Sequence, residues 1–200
     1  MMNILITVAH PDDETIGMGG TIKKLSKNNE ITLCVMTDGA SAQYNDKKMI
    51  KVRQDACKKA GKILGISKFH FLNFPDMKLD SISHVEMNKE LEKIIKKINP
   101  KILYSTSNND LNKDHQKVFE SCSVISRPLS SKIKKFLCFE MGGRNKIPFN
   151  PNTYVDISKE LSFKLKALNQ YKTEINPFPH ERSLKFIESL SHVRGVESGF

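Results

Sequence analysis

The sequence predicts an α/β fold built on a doubly wound, mostly parallel sheet that is flanked by helices. Two observations carry this prediction. Strand-like and helix-like segments alternate from Asn3 to Ile125, which is typical of a parallel sheet with crossover helices. The first strand-like run, residues 3–9, is continuously apolar and rich in β-branched residues, as in a strand buried on both faces. With 200 residues and no linker-like tract, we expect one domain spanning residues 1–200.

The individual elements follow from hydrophobic spacing and from turn residues. Strands are predicted near residues 3–9, 30–36, 69–72, 101–105 and 135–140, and helices near residues 15–28, 48–64, 83–98, 115–125, 158–171 and 181–193. The clearest helix begins at Ser83 and ends before Pro100. Its predicted apolar stripe consists of Val85, Leu91, Ile94, Ile95 and Ile98. In the first helix, Gly17, Gly19 and Gly20 are expected to permit close packing on the sheet.

The first strand is followed by His10-Pro11-Asp12-Asp13-Glu14, which falls in a predicted strand-to-helix turn. Ligands of open α/β sheets bind outside the carboxyl ends of the strands. Pro11 restricts His10 to an extended conformation and fixes its own φ, so the turn is stiff. Adjacent carboxylates repel one another unless a cation or hydrogen-bond donors compensate them, so this turn predicts a metal site. Helix capping by one acid, for which Glu14 is the best candidate, is the plainer alternative, but it leaves the histidine unexplained.

A second polar loop, residues 106–114, follows the predicted strand at 101–105, and His115 then opens a helix. His10 and His115 are therefore expected at the same edge of the sheet. Together with Asp13 they form a two-histidine, one-carboxylate set, which suits catalytic zinc with an open position for water, and also non-haem iron. Asp12 is a spare carboxylate that can take a proton from water, and Asp114 can orient a ligand or donor. These two acids favour hydrolysis with zinc. Alone, His115 would more simply be a helix-start or surface histidine.

These motifs resemble the LmbE-like, or PIG-L, family of zinc-dependent N-acetyl-sugar deacetylases. The resemblance rests on Ala9-His10-Pro11-Asp12-Asp13-Glu14, Gly19-Gly20-Thr21, Thr37-Asp38-Gly39 and Asn112-Lys113-Asp114-His115, and it continues through residues 53–55, 71–76, 154–158, 178–183 and 194–195. It implies a Rossmann-like, mostly parallel sheet flanked by helices in a three-layer sandwich. It also implies a metal-dependent amidohydrolase that removes acetyl from the 2-amino group of an N-acetylglucosamine-type sugar or glycoconjugate.

By this resemblance, His10, Asp13 and His115 are the Zn²⁺ ligands and Asp12 is the general base. The family's second motif often begins with a histidine, where this chain has Asn112. Asparagine can donate a hydrogen bond to an oxyanion but cannot deliver a proton near neutral pH, so the general acid is left unassigned beyond Asp12. Two alternatives stay open on the sequence. One is a non-catalytic metal- or sugar-binding relative. The other is an iron oxygenase, which would leave Asp12 without a role.

The resemblance also implies substrate contacts for Arg53 and Asp76. His180 is expected to line the pocket, with Arg182 in a structural role; helix capping is the plain alternative for both. The carrier of the acetylated sugar is left open among malate, inositol, nucleotide, lipid and glycan. Relatives usually continue beyond the position of Phe200 with a short acidic and aromatic segment, so we expect a truncated chain or the absence of that element.

Composition bears on location and partners. The net charge of +10 comes mostly from lysines scattered over many predicted helices, which is typical of solvated helix faces rather than of a nucleic-acid surface. We therefore expect a small-molecule partner, which the charge would attract if anionic, and no nucleic acid. The cysteines form no C-x-x-C pair, so free thiols in a reducing cytoplasm are expected. No export signal or transmembrane segment is predicted, and a homo-oligomer is left open.

Overall fold

A computed structural model describes residues 1–143 and 145–200. In these residues, five strands alternate with six α-helices. The strands are β1 (Asn3–Val8), β2 (Glu30–Thr37), β3 (Lys68–Phe74), β4 (Ile102–Ser105) and β5 (Lys135–Cys138). The helices are α1 (Asp13–Leu25), α2 (Lys48–Leu64), α3 (His84–Ile98), α4 (Lys113–Ile125), α5 (Leu161–Leu168) and α6 (Leu184–Ser198), and a 3₁₀ turn (Leu79–Ser81) precedes α3.

The sheet has the strand order β3-β2-β1-β4-β5, and the strand pairs described are all parallel. Thr7 of β1 lies between Cys34 of β2 and Ser105 of β4. Strands β2 and β3 lie on one side of β1, and β4 and β5 lie on the other side. This reversal of the strand order opens a crevice beyond the carboxyl ends of β1 and β4. The predicted doubly wound, Rossmann-like α/β fold is confirmed.

Two apolar clusters cover the two faces of the sheet. Ile4, Ile6 and Val8 of β1 pack on one side with residues of α1, α2 and α5, while Leu5 points to the other side with α3 and α4. Because helices cover both faces, successive residues of β1 are buried, which explains its continuous apolar run.

The predicted helix boundaries and packing faces are mostly correct. Helix α2 spans the predicted residues, whereas α5 is shorter than predicted and α6 begins later and runs to Ser198. Helix α6 starts late because Ser183 caps it, its hydroxyl accepting a hydrogen bond from the Phe186 N–H. In α3, Leu91, Ile94 and Ile98 are buried, as predicted, and Ile95 packs against them. The prediction for Val85 is wrong: it is exposed, because the buried stripe runs through Met87 instead.

The glycines of α1 permit close packing, as predicted, but Gly19 and Gly20 face α5 and the segment before it rather than the sheet. A Cβ atom at Gly20 would lie 2.6 Å from Ile157 Cδ1, so α1 can approach this segment only with glycine there. The sequence's four cysteines are all free, as predicted: Cys34, Cys57 and Cys122 are buried, and Cys138 is half-buried. No helix in the described ranges is long and apolar enough to cross a bilayer.

Candidate metal centre and active site

The sheet brings the two polar loops together, as expected. His10 follows β1, and His115 lies in the first turn of α4, after β4. Since β1 and β4 are paired directly, the two loops leave neighbouring strands at the same edge. The His10 and His115 rings are 5.2 Å apart between centroids.

The turn after β1 has an unusual backbone. Asp12 has a φ of +132°, a region that non-glycine residues rarely adopt. The turn is held by the Asp13 carboxylate, which accepts the backbone N–H of His10 at 2.9 Å. Gly39, after β2, packs on it so closely that a Cβ atom there would lie 2.3 Å from Pro11 Cδ. The surrounding chain thus maintains a strained conformation at Asp12.

The ligand groups of three residues form a small triangle in this crevice. His10 Nδ1 lies 3.2 Å from His115 Nε2 and 3.6 Å from Asp13 Oδ2, and His115 Nε2 lies 3.4 Å from Asp13 Oδ1. The three residues are buried. Zinc bonds of about 2.1 Å at tetrahedral angles place neighbouring donor atoms roughly 3.4 Å apart. The triangle therefore has the dimensions that a tetrahedral metal ion requires.

Carboxylates lie behind both histidines. His10 Nε2 is 3.2 Å from Asp114 Oδ2, and His115 Nδ1 is 2.6 Å from Asp110 Oδ2. Histidines that bind a metal through one nitrogen commonly donate the other N–H to a carboxylate, which fixes the ring. Asp114 is itself anchored, because it accepts the backbone N–H groups of Met77 and Leu79 at 2.8 and 3.0 Å.

The burial of these charges indicates a need for a cation. Burial alone would lower the pKa of His10, but its hydrogen bonds to Asp114 and Asp13 raise that pKa well above the usual value. Burial would also lower the pKa of His115, yet the nearby Asp13 and Asp110 raise it to about 9. Burial would raise the pKa of Asp13, but the two histidines hold it well below its usual range. A divalent cation supplies the same positive charge in place of the ring protons.

One further observation fits a metal at this triangle. Asp13 Oδ1 is buried and makes no hydrogen bond, although unpaired buried carboxylate oxygens are costly.

A second group, formed by His10, Asp76 and Asp114, also has ligand atoms close together. Both oxygens of Asp114 already accept backbone hydrogen bonds, however, so this group is the weaker candidate. The residues of the first triangle fit a metal ion.

Asp12 lies beside the triangle and is the least satisfied carboxylate near it. Both of its oxygens are buried without a hydrogen bond. The guanidinium groups of Arg53 and Arg182 each approach Oδ2 only to 3.6 Å. Burial raises the pKa of Asp12, and the two arginines oppose that effect. Its free oxygens can accept a proton from a water molecule next to the metal ligands.

Glu14 stabilises the turn rather than facing the metal ligands. Its Oε2 accepts the backbone N–H of Asp12 at 3.2 Å, although Glu14 lies within α1 and is not the cap residue that was predicted. Its Oε1 accepts the hydroxyls of Thr15 at 2.6 Å and Tyr171 at 2.5 Å. Burial raises the pKa of Glu14 to about 7.

A small cavity of about 150 Å³ reaches this centre, and its walls include Asn112, His115 and Arg182. Asn112 caps α4: its Oδ1 accepts the Asp114 N–H at 2.8 Å. This bond fixes the amide, and its Nδ2 approaches the weak acceptor Met77 Sδ at 3.6 Å. A donor is therefore available at the cavity wall.

The residues predicted to bind substrate occupy three different environments. Arg53 is buried and donates to the Pro11 carbonyl at 2.9 Å, so it braces the turn. Asp76 is buried, and its Oδ1 lies 3.2 Å from His10 Nε2, which indicates a contact with the centre rather than with solvent. His180 is exposed, and its Nδ1 accepts the Arg182 N–H at 3.0 Å in the turn before α6, whose cap is Ser183 rather than His180. Substrate contact stays a prediction for all three.

Sequence reasoning missed two acids that contact the site. Asp110 lies in the polar loop five residues before His115, and this loop position was the available signal. Glu174 contacts both Arg53 and Arg182, at 3.3 and 2.8 Å. Nothing in its local sequence marks it, because the contact depends on the tertiary fold.

A larger cavity, of about 710 Å³, lies elsewhere, between α1, β5, α6 and residues 149–158. Lys164 of α5 lines it and is 7% exposed. Burial lowers the pKa of Lys164 to about 8, and the charge of Glu140 only partly opposes this. No metal-ligand cluster of the described residues lies along this cavity.

Fold and site together define a class: an α/β protein with a two-histidine, one-carboxylate group that fits a metal ion, at the point where the strand order reverses. Comparison with known proteins then identifies the family. Residues 5–125 match the family PIG-L, described as GlcNAc-PI de-N-acetylase. The chain belongs to this family, which confirms the resemblance seen in its motifs.

Similar proteins include characterised and uncharacterised deacetylases. The chain is 27% identical to the diacetylchitobiose deacetylase of Thermococcus kodakarensis, over 98% of this chain and 79% of that protein. It is 30% identical to the uncharacterized deacetylase YaiS of Escherichia coli, over 85% and 90% of the two chains. The solved N,N'-diacetylchitobiose deacetylase of Pyrococcus horikoshii superposes with a TM-score of 0.82 at 26% identity, covering 99% and 80%. These relatives support the predicted deacetylase class over the oxygenase and non-catalytic alternatives.

Proposed function

We propose that this protein is a zinc-dependent hydrolase that removes the N-acetyl group from an N-acetylglucosamine-type sugar or glycoconjugate. The observation that carries the proposal is the triangle of His10, Asp13 and His115 ligand atoms, 3.2–3.6 Å apart, beside the hydrogen-bond-free carboxylate of Asp12. The family and its deacetylase relatives support the same reaction.

His10, Asp13 and His115 would hold the metal. When bound, zinc would lower the pKa of a bound water molecule to about 7 and would polarise the carbonyl group of the substrate. Asp114 fixes the His10 ring and Asp110 fixes the His115 ring, so each presents its other nitrogen to the crevice. The strained turn keeps Asp13 on the ligand side and leaves Asp12 for proton transfer.

Asp12 is the general base. It takes a proton from water as the water oxygen forms a bond to the acetamide carbon, and the carbonyl π electrons move onto oxygen. When the C–N bond breaks, Asp12 returns this proton to the departing amine, so that one carboxylate serves as base and then as acid. This assignment suits a chain in which Asn112 stands where a histidine acid is common, because asparagine cannot deliver a proton.

Asn112 is the second contributor to the reaction. Its side-chain carbonyl is engaged by the Asp114 N–H, and this capping bond holds the amide at the cavity wall. The Nδ2 donor can then bind the oxygen on which negative charge develops, and a fixed donor stabilises that charge more in the transition state than in the substrate. Asp114 thus contributes twice, through the orientation of His10 and of Asn112.

Acetate release tests the reaction directly. Metal-loaded protein would be incubated with N-acetylglucosamine, N,N'-diacetylchitobiose and GlcNAc-phosphatidylinositol, each with and without a chelator. We expect release from at least one substrate, loss of release with chelator, and recovery on addition of zinc. No release from any of these substrates by metal-loaded protein would contradict the deacetylase proposal. Elemental analysis and oxygen uptake in the same samples separate zinc hydrolysis from iron chemistry.

A further inference from the structure

Two arginines lie near Asp12 without bonding to it. The Arg53 and Arg182 guanidinium groups each stop 3.6 Å from Asp12 Oδ2, and neither makes a hydrogen bond to this buried carboxylate. Arginine and carboxylate groups normally pair through short, often bidentate hydrogen bonds of about 2.7–2.9 Å. Something must therefore hold these arginines back.

The competing acid is Glu174, which is 4% exposed. Its Oε2 accepts a hydrogen bond from Arg182 at 2.8 Å and lies 3.3 Å from Arg53. Its other oxygen, Oε1, accepts the Thr173 hydroxyl at 3.0 Å. One oxygen thus faces both guanidinium groups, while the other is fixed by its neighbour in sequence.

The two arginines differ in how firmly they are held. Arg53 is 3% exposed and also donates to the Pro11 carbonyl at 2.9 Å, so it keeps a partner without Glu174. Arg182 has a side chain 28% exposed, and the hydrogen bond described for its guanidinium goes to Glu174. If Glu174 were lost, Arg182 would be the group free to close on Asp12.

We propose that Glu174 is a positioning residue that keeps Arg182 and Arg53 out of hydrogen-bond contact with Asp12, so that both Asp12 oxygens stay free for proton transfer. This inference rests on the proposed function, because it takes Asp12 as the general base. The arginines still offset the buried negative charge through space. They do not occupy the lone pairs that must accept the proton of the attacking water.

Three variants separate positioning from simple structural support. Glu174→Ala removes the acceptor. Glu174→Gln keeps a carbonyl oxygen at the Oε2 position, and its NH₂ can donate to the Thr173 hydroxyl, so the arginines keep their place. The double variant Glu174→Ala/Arg182→Ala removes both the acceptor and the group that would close on Asp12. Glu188→Ala, an exposed acid on α6, is the matched control. Each protein is measured for kcat, KM, bound zinc and thermal unfolding.

We expect Glu174→Ala to lower kcat by about 30-fold or more, which is part of the ~100- to 10,000-fold that general-base catalysis contributes, with bound zinc and KM close to wild type. Glu174→Gln should stay within about 5-fold of wild type, and the double variant should be at least about 3-fold faster than Glu174→Ala, because coupled residues are not additive. Glu188→Ala should match wild type.

Other results would overturn the inference. A Glu174→Ala protein within about 2-fold of wild type, a Glu174→Gln protein as slow as Glu174→Ala, or a double variant slower than Glu174→Ala would each contradict positioning. If Glu174→Ala does not fold, Glu174→Gln still decides, since a kcat more than about 5-fold below wild type would contradict the inference. An inactive wild-type protein would instead count against the proposed function.

Discussion

The candidate metal centre and the Lys164 cavity differ in size and in the kind of ionisable groups around them. The cavity at the centre measures about 150 Å³, whereas the one lined by Lys164 measures about 710 Å³. Around the smaller cavity, buried acids, histidines and arginines contact one another within 2.6–3.6 Å. In the larger one, Arg194 pairs with Glu140 at 2.7 Å, and the charge of Glu140 only partly opposes the effect of burial on Lys164.

This comparison sets cavity size against the arrangement of ionisable groups as a guide to the active site. Size alone favours the larger cavity, since ligand sites are commonly large and concave. Ligand atoms at metal-binding distances, oriented by further acids and placed where the strand order reverses, favour the smaller one. We therefore assign the proposed chemistry to the smaller cavity, and we expect substitutions at the two cavities to have separable effects.

Metal removal should produce the largest effect. Chelator should abolish acetate release and also lower the unfolding temperature, because an ion that binds the folded state stabilises it. His115→Ala removes a ligand, so its unfolding temperature should no longer respond to zinc. Activity and differential scanning fluorimetry with and without zinc would measure both. A His115→Ala protein that is stabilised by zinc as much as wild type would place the metal elsewhere.

Asn112→Ala should have the next largest effect. Loss of one oxyanion donor typically costs about 2.7–4 kcal/mol, or ~100- to 1,000-fold in kcat. Because the donor acts mainly on the transition state, kcat should fall more than KM rises, and zinc should stay bound. Steady-state kinetics with zinc quantification would measure this. Loss of zinc from this variant, or a change in KM alone, would show that Asn112 does not act on the oxyanion.

Lys164→Met should change stability and leave acetate release unchanged. Burial lowers the pKa of Lys164 from an ordinary value of about 10.5 to about 8, so below pH 8 the folded protein holds a poorly solvated charge. This shift corresponds to at most about 3 kcal/mol, so the variant should raise the free energy of unfolding at pH 7 by about 1–3 kcal/mol.

The pH dependence of this effect has a definite sign. Between about pH 8 and 10.5, Lys164 is neutral in the folded protein but still protonated in the unfolded chain. The unfolded state then binds more protons, so this residue makes the wild type more stable as pH rises. The difference in free energy of unfolding between Lys164→Met and wild type therefore narrows. Urea unfolding of both proteins at pH 7 and pH 10 would measure it. A gap that widens with pH would contradict the assignment.

Much of the fold and part of the site could be predicted from the sequence. Alternating strand and helix patterns identified the doubly wound sheet, and the turn after β1 placed His10, Asp12 and Asp13 at its edge. His115 required only the rule that parallel strands end at one edge. These predictions depend on local patterns and on a general topological rule.

The remaining features depend on tertiary contacts that leave no local pattern. Glu174 comes after α5 and reaches Asp12 only through Arg53 and Arg182. The position of Asp76 behind His10 likewise depends on how the loop after β3 packs against the start of α4. Such contacts join residues far apart in sequence, so neither periodicity nor spacing could reveal them.

Zinc content of the Asp12→Ala and Asp13→Ala proteins, measured beside their rates of acetate release, tests the central claim most directly. Asp13 is the proposed ligand, so Asp13→Ala should lose zinc and activity together. Asp12 is the proposed base, so Asp12→Ala should keep its zinc while the rate falls by ~100-fold or more. If Asp12→Ala loses zinc while Asp13→Ala retains it, the roles of these adjacent carboxylates are reversed and the account is wrong.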